Sequence, residues 1–408
     1  MNKLMLKKYA RLTAFVGANI QKAQGCIISC AVDQHEFALL VQAEAYKAGA
    51  KWVRIDWSCQ ASTKMKLKKE SLSTLSKVTK WEEEKMKYNV ETLPALIHII
   101  SDDPDGLKGV NPEKMQKINI AKMTVLKKYR DMIDDKHQWT IVAVPSKKWA
   151  KKVFPNDRPS VAVQKLWDAI LTSVRITKDN DPVKEWKKHN DTLQEKCDML
   201  NALDVDYLHY KNSLGTDFKC SLMSEAVWKG GGDNLISGTF YNPNMPTEEV
   251  FITPPKGKAE GTVVSTKPLS YQGNLINNFS ITFKDGKAVS WKAEQGEETL
   301  TRMITSDEGA CMIGELALVP HKSPISDTGI LFYNTLFDEN ASCHIALGRG
   351  YSSNIKNFEN LSQEELRELG VNDSIIHVDF MIGSSDLDVV AHLRNGKTVQ
   401  IFKNGNWA

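Results

Sequence analysis

The feature that most constrains this chain is a change of rhythm near residue 205. Before it, short apolar runs alternate with longer amphipathic segments; after it, strand-like runs are separated by Gly- and Asn-rich turns. Residues 25–32 (GCIISCAV) form a continuous apolar run, the pattern of a strand covered on both faces. Residues 36–48 carry Phe37, Leu40, Val41, Ala45 and Ala48 near helical spacing, and Gly49 follows where such a helix would end. Residues 51–57, 93–100 and 139–144 read as further strands, and 160–176 and 182–200 as helices. Strand–helix–strand repetition of this kind predicts an α/β domain with a largely parallel sheet. Beyond 205, Asp285-Gly286 within 281–291 and Asn395-Gly396 within 394–402 sit between alternating segments, and each predicts a β-hairpin. The expected organisation is an α/β domain over 1–205 and an α+β domain over 206–408.

Composition narrows the function classes. At 41% hydrophobic and 25% charged residues, the chain has the make-up of a globular protein rather than a disordered one. No apolar stretch approaches the roughly 18 residues of a membrane-spanning helix. The amino terminus has only a short apolar run (12–17) after Lys7, Lys8 and Arg11, so no signal peptide is expected. Seven cysteines form no CxxC pair, which suits a reducing compartment and small buried thiols. The net charge of +3 conceals a split, with +10 over residues 1–240 and −7 over 241–408. Such an asymmetry fits either nucleic-acid or membrane contact by the basic half, or a cation-binding site in the acidic half. The eight lysines of 64–87 are interspersed with Glu70, Glu82, Glu83 and Glu84, and read as a solvated helix face.

The common chemical signatures are missing. There is no GxGxxG after a strand, no P-loop, no GxSxG and no HExxH. Gly230, Gly231, Gly232 and Asp233 read as a tight loop.

Four segments of the acidic half concentrate metal-ligand residue types. In NPNMPTEEVF, adjacent Glu248 and Glu249 on extended backbone point to opposite faces, and Glu249, next to Val250-Phe251, is expected to face inward. In SDEGACMIGELALVP, Glu315 lies in an apolar run, where a buried carboxylate implies a cation or a hydrogen-bond network; Glu308 lies seven residues upstream. In LFDENASCHIALGRGY, His344 is accompanied by Asp338, Glu339 and Tyr351 as oxygen donors. In SIIHVDF, His377 and Asp379 are two apart on a strand and share a face. Each segment alone also fits an ordinary structural role: a solvated turn, an edge glutamate, a core histidine or a His–Asp pair. Together they supply two glutamates, two histidines, an aspartate and a tyrosine. Mixed imidazole and carboxylate donors suit zinc, cobalt or manganese, and their number suits two cations sharing a carboxylate.

The stretches NMPTEEVF, GTVVSTKPLSYQGNLINNFSITFKDGK, IGELALVP, SPISDTGILFYNTLFDENASCHIALGRGY and GVNDSIIHVDFMIGS closely resemble the thermophilic-aminopeptidase family. These are dinuclear metallo-exopeptidases of the aminopeptidase T and aminopeptidase S type. The likeness runs nearly continuously from about residue 242 to 387; Ile313-Gly314-Glu315 stands where the family usually has Leu-Gly-Glu. The resemblance implies a cytoplasmic, homodimeric metallo-aminopeptidase acting on peptides with a free amino terminus, without nucleic-acid or membrane partners. It implies two divalent cations (zinc, cobalt, magnesium or manganese) held by Glu249, Glu315, His344, Tyr351, His377 and Asp379, with Glu339 a candidate by position. It also implies an enclosed cavity whose access the α/β domain limits. Glu315 and Glu308 are the candidates for the carboxylate that shuttles the proton. Another dinuclear hydrolase, such as a phosphoesterase, or a binding protein with a structural metal site remains open on the residues alone. The acidic balance of 241–408 then reflects carboxylates gathered to hold cations, and the +10 of the other half needs no nucleic acid to explain it.

Overall fold

The computed structural model describes residues 2–408, which fall into two compact units. One runs to His189 and takes back Gly232–Pro246; the other combines Asn190–Gly231 with Thr247–Ala408. The division passes through the helix Pro182–Asn201, whereas the sequence change at 205 coincides with the strand Val205–Lys211 that opens the second unit's larger sheet.

The first unit is α/β, as expected. Its five strands lie in the order Asn244–Met245, Trp139–Ala143, Ala95–Ile100, Gly25–Ala31, Trp52–Ser58, and every pairing is parallel. Gly25–Ala31 is an interior strand, paired on both sides, and is buried along most of its length, the outcome its apolar run requires. The helix His35–Ala48 stops at Gly49, whose φ of 109° is the left-handed cap position expected there. Asn111 starts Pro112–Ile133 by accepting from the Lys114 N–H at 3.0 Å. The amino-terminal apolar run continues the helix Lys3–Leu12, and the buried Tyr9 fastens that helix to the sheet. Its hydroxyl donates to the Ala143 carbonyl at 3.2 Å and accepts from the Ala143 N–H at 3.1 Å. The lysine-rich stretch lies on the helices Gln60–Lys69, Leu72–Ser76 and Lys80–Thr92, where its lysines are exposed or half-buried.

The second unit holds two antiparallel sheets. The larger has nine strands, and both expected hairpins belong to it: Asn274–Lys284 with Lys287–Gln295, and Asp388–Leu393 with Thr398–Lys403. The smaller runs in the order His377–Met381, His344–Gly348, Ile313–Leu318, Val250–Ile252, Lys229–Gly230, all antiparallel. One continuous apolar core includes side chains from both sheets. The smaller sheet contributes Val250, Ile252, Ile313, Leu316, Leu318, Ile345, Leu347, Val378 and Phe380 to it, so the intervening residues of those strands face away. Each of the four metal-ligand segments places its central strand in this one sheet.

The Asp285-Gly286 turn has positive φ at both residues, 51° and 74°, the geometry of a two-residue type I′ hairpin. A methyl at Gly286 would come within 2.0 Å of the Gly257 backbone. Gly286→Ala is therefore expected to destabilise the protein by roughly 1–3 kcal/mol, read as a lowered denaturant midpoint at unchanged slope. An unchanged midpoint would contradict this account of the turn.

Candidate metal centre

The face of the smaller sheet turned from the core carries the expected ligands, and register explains how they meet. Across adjacent strands Glu315 opposes Ala346, and Ala346 opposes Asp379. One step along in one direction His344 opposes Ala317, and in the other His377 opposes Gly348. Glu315 thus sits between two imidazole rows, and Ala317, Ala346 and Gly348 leave room around it.

Strict alternation from Ile313 would have turned Glu315 into the apolar core. It does not, because the pairing shifts register between Ile313 and Glu315. This bulge inserts one residue, so that Ile313 and Leu316 both face the core and Glu315 faces the ligands. The inserted residue is Gly314, where a Cβ would lie 2.3 Å from the Gly348 carbonyl oxygen and 2.5 Å from that of Arg349. No side chain fits that approach, which is the physical content of the glycine before this glutamate.

Two overlapping groups result: Glu249, Glu315 and His344, and Glu315, His377 and Asp379. His344 Nε2 is 3.0 Å from Glu249 Oε2 and 3.5 Å from Glu315 Oε1. His377 Nε2 is 3.4 Å from Glu315 Oε2 and 3.4 Å from Asp379 Oδ1. Glu315 therefore offers a separate oxygen to each group while being only 4% exposed. Both rings are oriented from behind by backbone carbonyls. His344 Nδ1–H donates to Glu339 O at 3.0 Å and Ser342 O at 3.1 Å, and His377 Nδ1–H donates to Arg349 O at 2.7 Å. That fixes the tautomer and leaves each Nε2 aimed at the carboxylates.

The remaining sequence candidates divide. Tyr351 follows a strand and a left-handed Gly348 (φ 103°), so its seven-residue spacing from His344 is not two helical turns. It is 37% exposed, yet its ring centroid is 4.8 Å from that of His377. Burial, followed by the negative charge of Glu315 and Asp379, holds its phenol well above the usual value. Glu339 is buried and close enough to Asp379, Glu249 and Glu315 to feel their charge. Asp338, its neighbour, serves the loop instead: its two oxygens accept from the Phe332 N–H at 2.8 Å and the Asn334 N–H at 3.0 Å. Glu308 is exposed and belongs to neither group. Its neighbour Asp307 takes a structural part, accepting from Ser374 Oγ at 2.9 Å and the Ile375 N–H at 2.7 Å at the entry to the His377 strand. Sequence reading passed over Asp307, Asn340 and Asn372. Asn372 donates to the Gly348 carbonyl at 2.6 Å and the Gly309 carbonyl at 2.8 Å, beside the bulge. An Asn or Asp beside glycines in a turn-rich stretch carries no local mark of such a role.

The electrostatics favour a cation. Burial, followed by like charge, raises the carboxyls of Glu249 and Glu339, while the Asp379 carboxyl is held low by the His377 imidazole against the opposing effect of burial. Burial alone would lower both histidines, but contact with Glu249 and Glu315 keeps His344 well above its ordinary value, and Asp379 with Glu315 does the same for His377. Asp379 Oδ1 is enclosed without an aligned hydrogen-bond donor. Four buried carboxylates against two imidazoles, with an orphaned oxygen among them, form a donor set that fits divalent cations.

Cations and protons compete for these groups, since a coordinating imidazole must be neutral. The raised groups lose their protons as pH rises, so cation affinity is expected to increase with pH and binding to release protons. Titration calorimetry in buffers of different ionisation enthalpy measures this; binding without proton release would contradict it.

A match to the thermophilic metalloprotease (M29) family spans residues 2–407. Among curated relatives, aminopeptidase 2 of Geobacillus stearothermophilus is 43% identical over 404 residues, 99% of this chain and 97% of its own. Aminopeptidase T of Thermus thermophilus is 36% identical over 406 residues, 99% of this chain and 98% of its own. The solved structure of wild-type AmpT from Thermus thermophilus superimposes with a TM-score of 0.90 at 35% identity, covering 100% of this chain and 99% of that one.

Proposed function

The chain belongs to the thermophilic metalloprotease (M29) family, and from that premise we propose that it is a metallo-aminopeptidase that removes the amino-terminal residue of peptides at the ligand cluster of its smaller antiparallel sheet. The observation that carries the reading is Glu315, which presents one oxygen to each of two ligand groups. That geometry favours two divalent cations over one: Glu249 and His344 would hold the first, His377 and Asp379 the second, and Glu315 has an oxygen to offer each. Tyr351 supplies a further oxygen from the loop after the His344 strand. The imidazoles favour zinc, cobalt or manganese, and the carboxylate majority is compatible with magnesium. When bound, such cations supply the positive charge that polarises a scissile carbonyl and makes water more acidic.

The chain's own residues do the rest. The substrate's free α-amino group needs an acidic or a metal partner, which this cluster offers and an internal peptide nitrogen cannot use, so amino termini are favoured over internal bonds. Of the two proton-shuttle candidates, Glu308 stands in solvent away from the cluster, and Glu315 already faces both histidines. Glu339 is buried beside the same carboxylates, with Asn340 Nδ2 3.4 Å from its Oε1. We therefore assign Glu339 to take a proton from the attacking water at a carboxylate oxygen and return it to the leaving amine. The Nδ1–H bonds of His344 and His377 keep both imidazoles from turning during the reaction. A homodimer and a cytoplasmic setting complete the proposal. They rest on the family resemblance and on cysteines that are all free, as in a reducing compartment. Among the described residues no helix is long and apolar enough to cross a membrane.

The test is hydrolysis of aminoacyl-arylamides, with a phosphomonoester as control, before and after chelation and with each cation restored. Amino-terminal cleavage lost on chelation and recovered at two cations per chain is the expected result. Glu315→Gln is expected to lower kcat/KM by about 10³-fold or more, and Glu339→Gln to lower kcat by roughly 10²–10⁴-fold while cations still bind. Near-normal arylamide hydrolysis by Glu315→Gln would sink the assignment, and phosphomonoester turnover alone would favour the phosphoesterase reading.

A further inference from the structure

We propose that Asn340 is the positioning residue of the metal centre, one buried carboxamide that holds two ligand residues, Glu249 and His344, and the proton-moving Glu339 in register. The inference rests on the ligand set proposed above and adds a residue outside it.

Asn340 has 0% exposure and lies on the short turn Glu339–Ala341, before the His344 strand. Its Oδ1 accepts from the Glu248 N–H at 2.7 Å, across 92 residues of sequence. That contact pins the Thr247–Glu248 peptide, one residue ahead of Glu249, so the Asn340 side chain helps to set the entry of the Glu249 strand. Its Nδ2 donates to the Leu336 carbonyl at 3.0 Å and lies 3.4 Å from Glu339 Oε1. The first contact closes the turn, and the second faces the carboxylate assigned to move the proton. The peptide that joins Glu339 to Asn340 also carries the carbonyl that accepts from His344 Nδ1–H at 3.0 Å. A rotation of Asn340 would therefore displace the Glu249 backbone, the Glu339 carboxylate and the His344 ring together. Ser323 Oγ donates to the Asn340 carbonyl at 3.5 Å and steadies the turn from its other side.

The chemistry of the side chain is specific. Only a carboxamide of this length offers an acceptor to Glu248 and a donor to Leu336 and Glu339 at once. Aspartate keeps the shape and the acceptor but loses the donor. Leucine keeps the approximate volume and loses both. The aspartate variant also separates positioning from charge, because an added carboxylate beside a cation site would by charge alone tighten binding.

The experiment compares full-length wild-type, Asn340→Asp and Asn340→Leu proteins. It measures cation affinity by competition with a chromogenic chelator, the visible absorption of the cobalt-loaded protein, and kcat and KM on an aminoacyl-arylamide. Positioning predicts affinity weakened roughly 10–100-fold in both variants, including the one that gains a negative charge. It also predicts a shifted cobalt band and a fall in kcat with KM changed far less. A merely structural role would lower the thermal midpoint without moving the cobalt band of the folded fraction, and that result would overturn the proposal. Should Asn340→Leu fail to fold, Asn340→Asp decides. Wild-type affinity and spectrum in Asn340→Asp overturn the role of Asn340 alone, whereas a wild-type chain that binds no divalent cation overturns the ligand set and this inference with it.

Discussion

Four carboxylates and two imidazoles gather against one face of a five-stranded antiparallel sheet, Glu339 reaching them from a turn beside it, and much of the second unit's local architecture follows from having to tolerate them. Two like unit charges 4 Å apart repel by about 4 kcal/mol even at the effective dielectric of a protein surface. Within the cluster, Glu249 and Glu339 each feel the negative charge of Glu315 and Asp379. Contact with His344 and His377, whose hold on a proton these carboxylates strengthen, offsets part of this repulsion. Divalent cations offset it more fully, and they displace protons to do so.

Holding such a set requires precision from a sheet whose other face is committed to the apolar core. Alternation separates the two demands: Ile345, Leu347, Val378 and Phe380 face the core, while His344, His377 and Asp379 face the ligands. The strand Ile313–Leu318 satisfies both only because the bulge at Gly314 changes its phase midway. Side chains that never join the cluster then hold its edges. Asp307 anchors the chain entering the His377 strand, Asn372 ties the Gly348 turn to Gly309, and Asn340 links the Glu249 entry to the Glu339 turn. Backbone carbonyls beside these turns, those of Arg349 and Glu339, orient the two imidazoles.

Much of this was legible beforehand. Apolar runs and helical spacing identified the parallel sheet and its helices, because a strand covered on both faces must be apolar throughout. Asp285-Gly286 and Asn395-Gly396 announced their hairpins, because few residues accept positive φ. The pairs Glu248/Glu249 and His377/Asp379 could be assigned faces from period-two geometry. The proposed proton shuttle was less legible. The sequence offers Glu308 and Glu315 without choosing between them, but a turn leaves Glu308 in solvent, and Glu339 reaches the cluster from a segment 24 residues after Glu315. Asp338 looked as good a ligand as Glu339, and only its hydrogen bonds to Phe332 and Asn334 separate the two.

By itself, the sequence determined which residues could bind cations and which segments would be strands or helices, since donor chemistry and backbone propensity are local properties. The tertiary structure alone decided that Glu315 stands between two imidazoles, that Asp338 turns away from the cluster, and that Asn340 meets Glu248 across 92 residues. Those outcomes depend on strand register, on one inserted residue at Gly314 and on hydrogen bonds between distant segments, and none of these leaves a periodic trace in the chain.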